Sequence, residues 1–138
     1  MSEMGKIDHV GIAVNSLEDA VPLWRGILGE LPAGREEVEE EAVRVAFFGE
    51  GAGRIELLEP TDPDSAVARH LERRGPGVHH VCLRVEELEA AVERATRAGA
   101  ELIPPGVRQG AGGHRVAFLH PRTTGGVLLE LSEAPSTG

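Results

Sequence analysis

The stretch Asp8-His9-Val10-Gly11-Ile12-Ala13-Val14 returns 71 positions later as His79-His80-Val81-Cys82-Leu83-Arg84-Val85. The same register pairs Leu17 with Leu88, Ala20 with Ala91 and Val21 with Val92. It also sets Arg44-Val45-Ala46-Phe47-Phe48 on Arg115-Val116-Ala117-Phe118-Leu119. A slightly longer offset, 74, brings Ile55-Glu56-Leu57 onto Leu129-Glu130-Leu131, so one loop differs in length between the copies. A chain of 138 residues is one domain by length, so the two copies must share one core.

Within each copy the order is strand, helix, then further strands. Ile7 to Val14 alternates as a strand does, and Asn15 or Ser16 can cap a helix after it, Asn15 with Glu18 at capping-box spacing. That helix carries Val21, Trp24, Ile27 and Leu28 on one stripe, with a bend expected at Pro22, which lacks the donor an interior position uses. Leu88, Ala91, Val92 and Ala95 make the matching stripe, ended by Gly99. Strands are expected at Val43–Phe48, Arg54–Leu58, Arg115–Leu119 and Val127–Leu131, with glycine-rich turns between them. Between the copies, Asp62 or Asp64 can cap a helix through Val67 and Leu71 that stops at Gly75; His70 is expected on its exposed face. The reading is an α+β fold of two tandem βαβββ modules, about 6–60 and 78–133, joined by a helical connector, 61–77. They form a single domain, 6–133, with tails 1–5 and 134–138.

Side chains alternate across a strand, so the large apolar residues Val10, Ile12, Val81, Leu83, Ile55, Leu57, Leu129 and Leu131 should face the helices. His9, His80, Glu56 and Glu130 then project from the other face. They stand at matched repeat positions, so a pseudo-twofold axis would gather two imidazoles and two carboxylates around one point. That donor set suits a divalent transition metal with positions left open for substrate or water. Taken singly, a strand histidine is commonly a structural hydrogen-bond partner and a strand glutamate is commonly solvated; the recurrence of all four is what those readings do not predict. His79 competes with His80, but the repeat and the alternation favour His80.

Composition narrows the partners. Fourteen Lys and Arg against 23 Asp and Glu give a net charge of −9, which repels nucleic acid and anionic membranes. A polyanionic ligand would need a local arginine patch. A single cysteine, Cys82, allows no internal disulfide, and no apolar stretch reads as a signal peptide or membrane span, so a cytoplasmic protein is expected.

Asp8 to Val14, Arg54-Ile55-Glu56-Leu57-Leu58-Glu59-Pro60, Gly77-Val78-His79-His80-Val81, His120-Pro121-Arg122 and Gly125 to Leu131 together resemble the methylmalonyl-CoA epimerases. These belong to the vicinal-oxygen-chelate superfamily, which also includes glyoxalases, bleomycin resistance proteins and dioxygenases. The likeness runs from about Lys6 to Glu133. It implies a glyoxalase-like fold with a curved mixed sheet around a metal site and an acyl-CoA substrate. It also implies a homodimer and a divalent ion, Co²⁺ first and Mn²⁺, Ni²⁺ or Zn²⁺ otherwise. By motif the ligands are His9, His80 and Glu130, with Glu56 at the fourth position; Glu130 and Glu56, symmetry mates across the pseudo-twofold axis, are assigned as the paired proton carriers for epimerisation. Similar epimerases carry Gln in place of Glu56 and a catalytic Glu in place of Val45. Two readings stay open: Glu56 is the second base, or Glu56 is a ligand while a nearby acid such as Glu40 is that base. The Gly110-Ala111-Gly112-Gly113-His114 loop is either a donor of backbone N–H groups to the substrate carboxylate or an ordinary turn. Lactoylglutathione lyase and a non-catalytic binding protein of the same fold are the rival functions. An extradiol dioxygenase fits less well, because a fourth protein ligand crowds the positions oxygen needs.

Overall fold

The computed structural model describes residues 6–133; the two expected tails lie outside them. The described elements run β1 (Lys6–Ala13), α1 (Leu17–Leu28), β2 (Gly34–Val38), β3 (Val43–Phe48), β4 (Arg54–Pro60) and α2 (Ala66–Arg74). They continue with β5 (Gly77–Val85), α3 (Leu88–Arg97), β6 (Arg108–Gln109), β7 (Arg115–Leu119) and β8 (Leu129–Glu133). One mixed sheet holds all eight strands in the order β2-β3-β4-β1-β5-β8-β7-β6, which reads the same, module for module, from either end. It is the curled half-barrel of the vicinal-oxygen-chelate fold.

The modules join where β1 and β5 pair antiparallel, with His9 opposite Cys82 and Gly11 opposite His80. Gly11 and Cys82 are themselves repeat mates, so the two pairs exchange under the pseudo-twofold axis. Parallel pairing then sets Gly11 beside Glu56 on β4, and Cys82 beside Glu130 on β8.

The repeated apolar residues are the core. Leu17, Val21, Ala46, Phe48 and Leu57 pack between α1 and the outer face of the sheet. Leu88, Ala91, Ala117, Leu119 and Leu131 do the same under α3. Leu57 and Leu88 are fully buried, each contributing roughly 2 kcal/mol on transfer from water. A third cluster puts Val67 of α2 against Ala13, Val38, Val43, Val45 and Leu58, closing one end of the inner face. The repeat also extends to the helix starts. Glu59 accepts from the Leu17 N–H (2.8 Å) and Glu133 from the Leu88 N–H (2.7 Å), placing a carboxylate at the positive end of α1 and of α3.

Several local expectations change. Ser16, not Asn15, caps α1 by accepting from the Asp19 N–H. Ser65, rather than Asp62 or Asp64, caps α2 through the Ala68 N–H, because Asp62 is engaged with the Asp64 N–H in the preceding turn. α1 runs on through Pro22 to Leu28, and that proline is exposed. Ile27 and Leu28 belong to no core cluster and are exposed, so Trp24 is the last residue of the stripe to pack. β2 and β6 had no readable signal: β2 is Gly-Arg-Glu-Glu-Val and β6 has two residues. β8 starts two residues later than expected and extends to Glu133, which brings the capping carboxylate into the strand. His70 is half-buried, its ring edge-on to His79 with centroids 5.2 Å apart. No described helix is long and apolar enough to cross a membrane.

Candidate active site

His9, Glu56, His80 and Glu130 are all buried and line one cavity on the inner face of the sheet. His9 Nε2 and His80 Nε2 are 3.1 Å apart, and Glu130 Oε1 lies 3.2 Å from the first and 2.9 Å from the second. Donors at adjacent corners of an octahedral ion with bonds of about 2.1 Å would be separated by about 3.0 Å, close to the sides of this triangle. The donor chemistry agrees. His9 Nδ1–H donates to Asp8 Oδ2 (2.7 Å), which turns its Nε2 lone pair towards the His80 nitrogen and the carboxylate. The three atoms lie close enough together in a buried space that they could hold a metal ion. Burial opposes charge on His9, but Asp8, Glu130 and Glu56 outweigh it and raise its pKa to about 9. Glu130 is held as a carboxylate, its pKa lowered to about 2 against the effect of burial by bonds to His80 and His9.

Glu56 sits on the other side of His9. Its Oε2 lies 3.3 Å from His9 Nδ1 and 2.9 Å from the Arg54 guanidinium. The structure therefore brings three of the four expected residues to one point and ties the fourth to an arginine.

Asp8, Arg54 and Arg84 were not singled out by sequence. Asp8 is almost wholly buried and accepts from His9, from Arg54 (2.7 Å) and from Arg84 (2.7 Å). Burial penalises its charge, yet those bonds together depress its pKa well below the usual carboxylate range. A signal existed: Asp8 directly precedes His9, as its repeat mate His79 precedes His80. His79 Nδ1 meets His80 Nδ1 at 3.0 Å, and burial first, then His80, lowers the His79 pKa to about 3, so it works as a neutral partner.

Of the run Glu39–Glu41, the residue that lines the cavity is Glu41. Glu40 instead accepts from the Gln109 N–H (2.6 Å) at the surface. Glu41 closes a single 3-10 turn, Glu39–Glu41, and lines the cavity beside Val45. Its Oε2 is buried with no hydrogen-bond partner. Burial raises its pKa to about 8, the charges of Glu130 and Glu56 add to the rise, and Arg108 partly offsets it. In the Gly110–His114 loop, the Gly112 N–H donates to Glu36 (2.8 Å), while the Gly110 and His114 N–H groups bond within the loop. Those three amides are thus engaged, and the loop ties the second module to β2.

The sequence model of the Glyoxalase/Bleomycin resistance protein/Dioxygenase superfamily matches residues 8–118. The chain belongs to that superfamily. Among its members, the chain is 42% identical to the uncharacterized protein YqjC of Bacillus subtilis over 94% of this chain and 93% of that one. It is 37% identical to the human mitochondrial methylmalonyl-CoA epimerase, covering 95% of this chain and 75% of that protein. A methylmalonyl-CoA epimerase of Streptomyces coelicolor, solved in complex with 2-nitronate-propionyl-CoA, superposes with a TM-score of 0.90 at 34% identity, covering 97% and 100% of the two chains. This superfamily member therefore shares its fold, over nearly the whole of both chains, with the Streptomyces coelicolor epimerase.

Proposed function

We propose that the chain interconverts the (2R) and (2S) epimers of methylmalonyl-CoA with a divalent metal ion at its centre. The observation that carries this reading is the convergence of His9 Nε2, His80 Nε2 and Glu130 Oε1 in a buried cavity, in a chain whose named relatives include epimerases. His9, His80 and Glu130 would hold the ion, with Glu56 as the fourth ligand once its carboxylate turns from Arg54. Co²⁺ is the ion that the resemblance to epimerases implies, and Mn²⁺, Ni²⁺ or Zn²⁺ suit the same nitrogen and oxygen donors. When bound, the ion is a Lewis acid where charge develops as the α-proton leaves the thioester.

The remaining work falls to the chain. Asp8 fixes the His9 tautomer, and Arg54 and Arg84 fix Asp8. The buried walls exclude the water that would otherwise compete for the proton. Epimerisation takes the α-proton from one face of the carbon and delivers one to the other, so two proton carriers are needed, and Glu130 is the first. Glu56, paired with Arg54, is better suited to holding the site than to moving protons.

The test is proton NMR of each separated epimer in deuterated buffer with Co²⁺, comparing wild type, His80→Ala and no protein. Loss of the α-proton signal with interconversion, seen only with wild type, supports the reading. Exchange at the background rate removes it and turns attention to the methylglyoxal–glutathione adduct, and then to a binding role.

A further inference from the structure

Two buried side-chain polar atoms among the described residues lack a hydrogen-bond partner, and one of them, Glu41 Oε2, belongs to a residue lining the cavity of His9, His80 and Glu130. An unpaired buried carboxyl oxygen costs about 1–3 kcal/mol, which a purely structural residue has no reason to impose on the fold. The backbone is also arranged around it. Ala42, next in the chain, has φ 54° and ψ 51°, and it is the only non-glycine residue with positive φ in the described part of the chain. That conformation costs roughly 1–2 kcal/mol for a residue with a Cβ. It is pinned by the Thr61 N–H, which donates to the Ala42 carbonyl (2.8 Å), and by the Ala42 N–H donating to the Glu39 carbonyl (3.1 Å). The kink lets the chain enter β3 while the preceding side chain turns inward. In the sheet, β4, β1 and β5 separate β3 from β8, so Glu41 and Glu130 approach the cavity from different walls.

We infer that Glu41 is the second proton carrier of the site, serving the face of the α-carbon opposite Glu130; the inference rests on the epimerase reading above. Val45, which lines the same wall, has no group that can exchange a proton. In one direction the Glu130 carboxylate takes the α-proton and the C–H electron pair moves into the enolate. Glu41, in its acid form, gives its proton to the other face, and the enolate pair becomes the new C–H bond. The reverse direction exchanges the two roles, and no electron donor or acceptor is needed. Burial favours the neutral acid form of Glu41.

The experiment follows each separated methylmalonyl-CoA epimer in deuterated buffer with Co²⁺-loaded wild type, Glu41→Gln and Glu40→Gln. Glu41→Gln is expected to interconvert the epimers at least about 100-fold more slowly, while one epimer still exchanges its α-proton without inversion. Its Co²⁺ absorption spectrum and its affinity for 2-nitronate-propionyl-CoA should match wild type, and Glu40→Gln should turn over normally. Interconversion by Glu41→Gln within threefold of wild type would overturn the assignment. So would loss of Co²⁺ binding in that variant, which would make Glu41 a metal-site or structural residue. If wild type itself does not exchange the α-proton, the epimerase reading fails and the role of Glu41 fails with it, a result distinct from a defect confined to the variant.

Discussion

Gly11 and His80 face each other across β1 and β5, and a Cβ on Gly11 would lie 2.2 Å from His80 Cε1. The absence of a side chain on one strand makes room for the imidazole on the other. Gly11→Ala must displace the His80 ring from its place beside Glu130 and His9 inside a packed region. The expected result is a fall in Co²⁺ affinity of at least about 10-fold and a loss of roughly 1–3 kcal/mol in stability. Calorimetric Co²⁺ titration and denaturant melts check both; unchanged affinity would show that His80 is not held where the metal reading needs it.

Asp8→Asn keeps the shape and removes the charge that Arg54, Arg84 and His9 share. Arg84 loses its anionic partner, Arg54 is left with Glu56, and His9 keeps only a neutral amide oxygen as the acceptor that orients its ring. Metal affinity is expected to fall about 10–100-fold. Competition for Co²⁺ with a chelator of known strength measures this directly.

Glu56→Gln separates holding from proton transfer. The amide still offers an oxygen, and the Arg54 ion pair is lost. Epimerisation should persist at a reduced rate, with weaker metal binding. Abolished turnover with full metal content would instead make Glu56 a proton carrier.

Glu41 gives the metal-free protein a pH signature. Its pKa rises from 4.5 in the unfolded chain to about 8 in the fold, through burial and the charges of Glu130 and Glu56, with Arg108 and His9 opposing. The folded state therefore binds this proton more tightly. Its stabilising effect is complete below pH 4.5 and is lost as pH rises towards about 8. The difference in unfolding free energy between wild type and Glu41→Gln should move against wild type by up to a few kcal/mol over that window, at about 1.4 kcal/mol per pH unit. A difference that stays flat with pH would contradict the buried acid.

Glu59→Ala and Glu133→Ala should each cost about 1 kcal/mol, since each removes the acceptor at a helix start. Urea unfolding of the two variants measures it. Equal losses are expected because the residues are repeat mates.

The duplication was legible because the residues that repeat are those that a shared core constrains: Leu17 with Leu88, Ala46 with Ala117, Leu57 with Leu131. His9, His80 and Glu130 were legible for the same reason, since a polar residue kept at matched positions of an apolar strand stands out. Glu41 was not. It lies in a run of three glutamates, Glu39 to Glu41, and only the left-handed turn at Ala42 decides which one points inward. The role of Asp8 depends on Arg54 and Arg84, which come from strands on either side of β1 and have no sequence spacing to announce them. Ser65 capped α2 in preference to two aspartates because capping depends on where the first turn begins, and strand and loop lengths fix that only in three dimensions.

The reciprocal pairing at the centre, His9 with Cys82 and Gly11 with His80, bears on stereochemistry. Substrate and product of an epimerisation differ only in handedness at one carbon, and between them lies a flat species with two nearly equivalent faces. A rotation axis lying in that plane swaps the faces. A protein made of two like halves related by such an axis would offer each face a backbone wall of the same build, on which different side chains can be set.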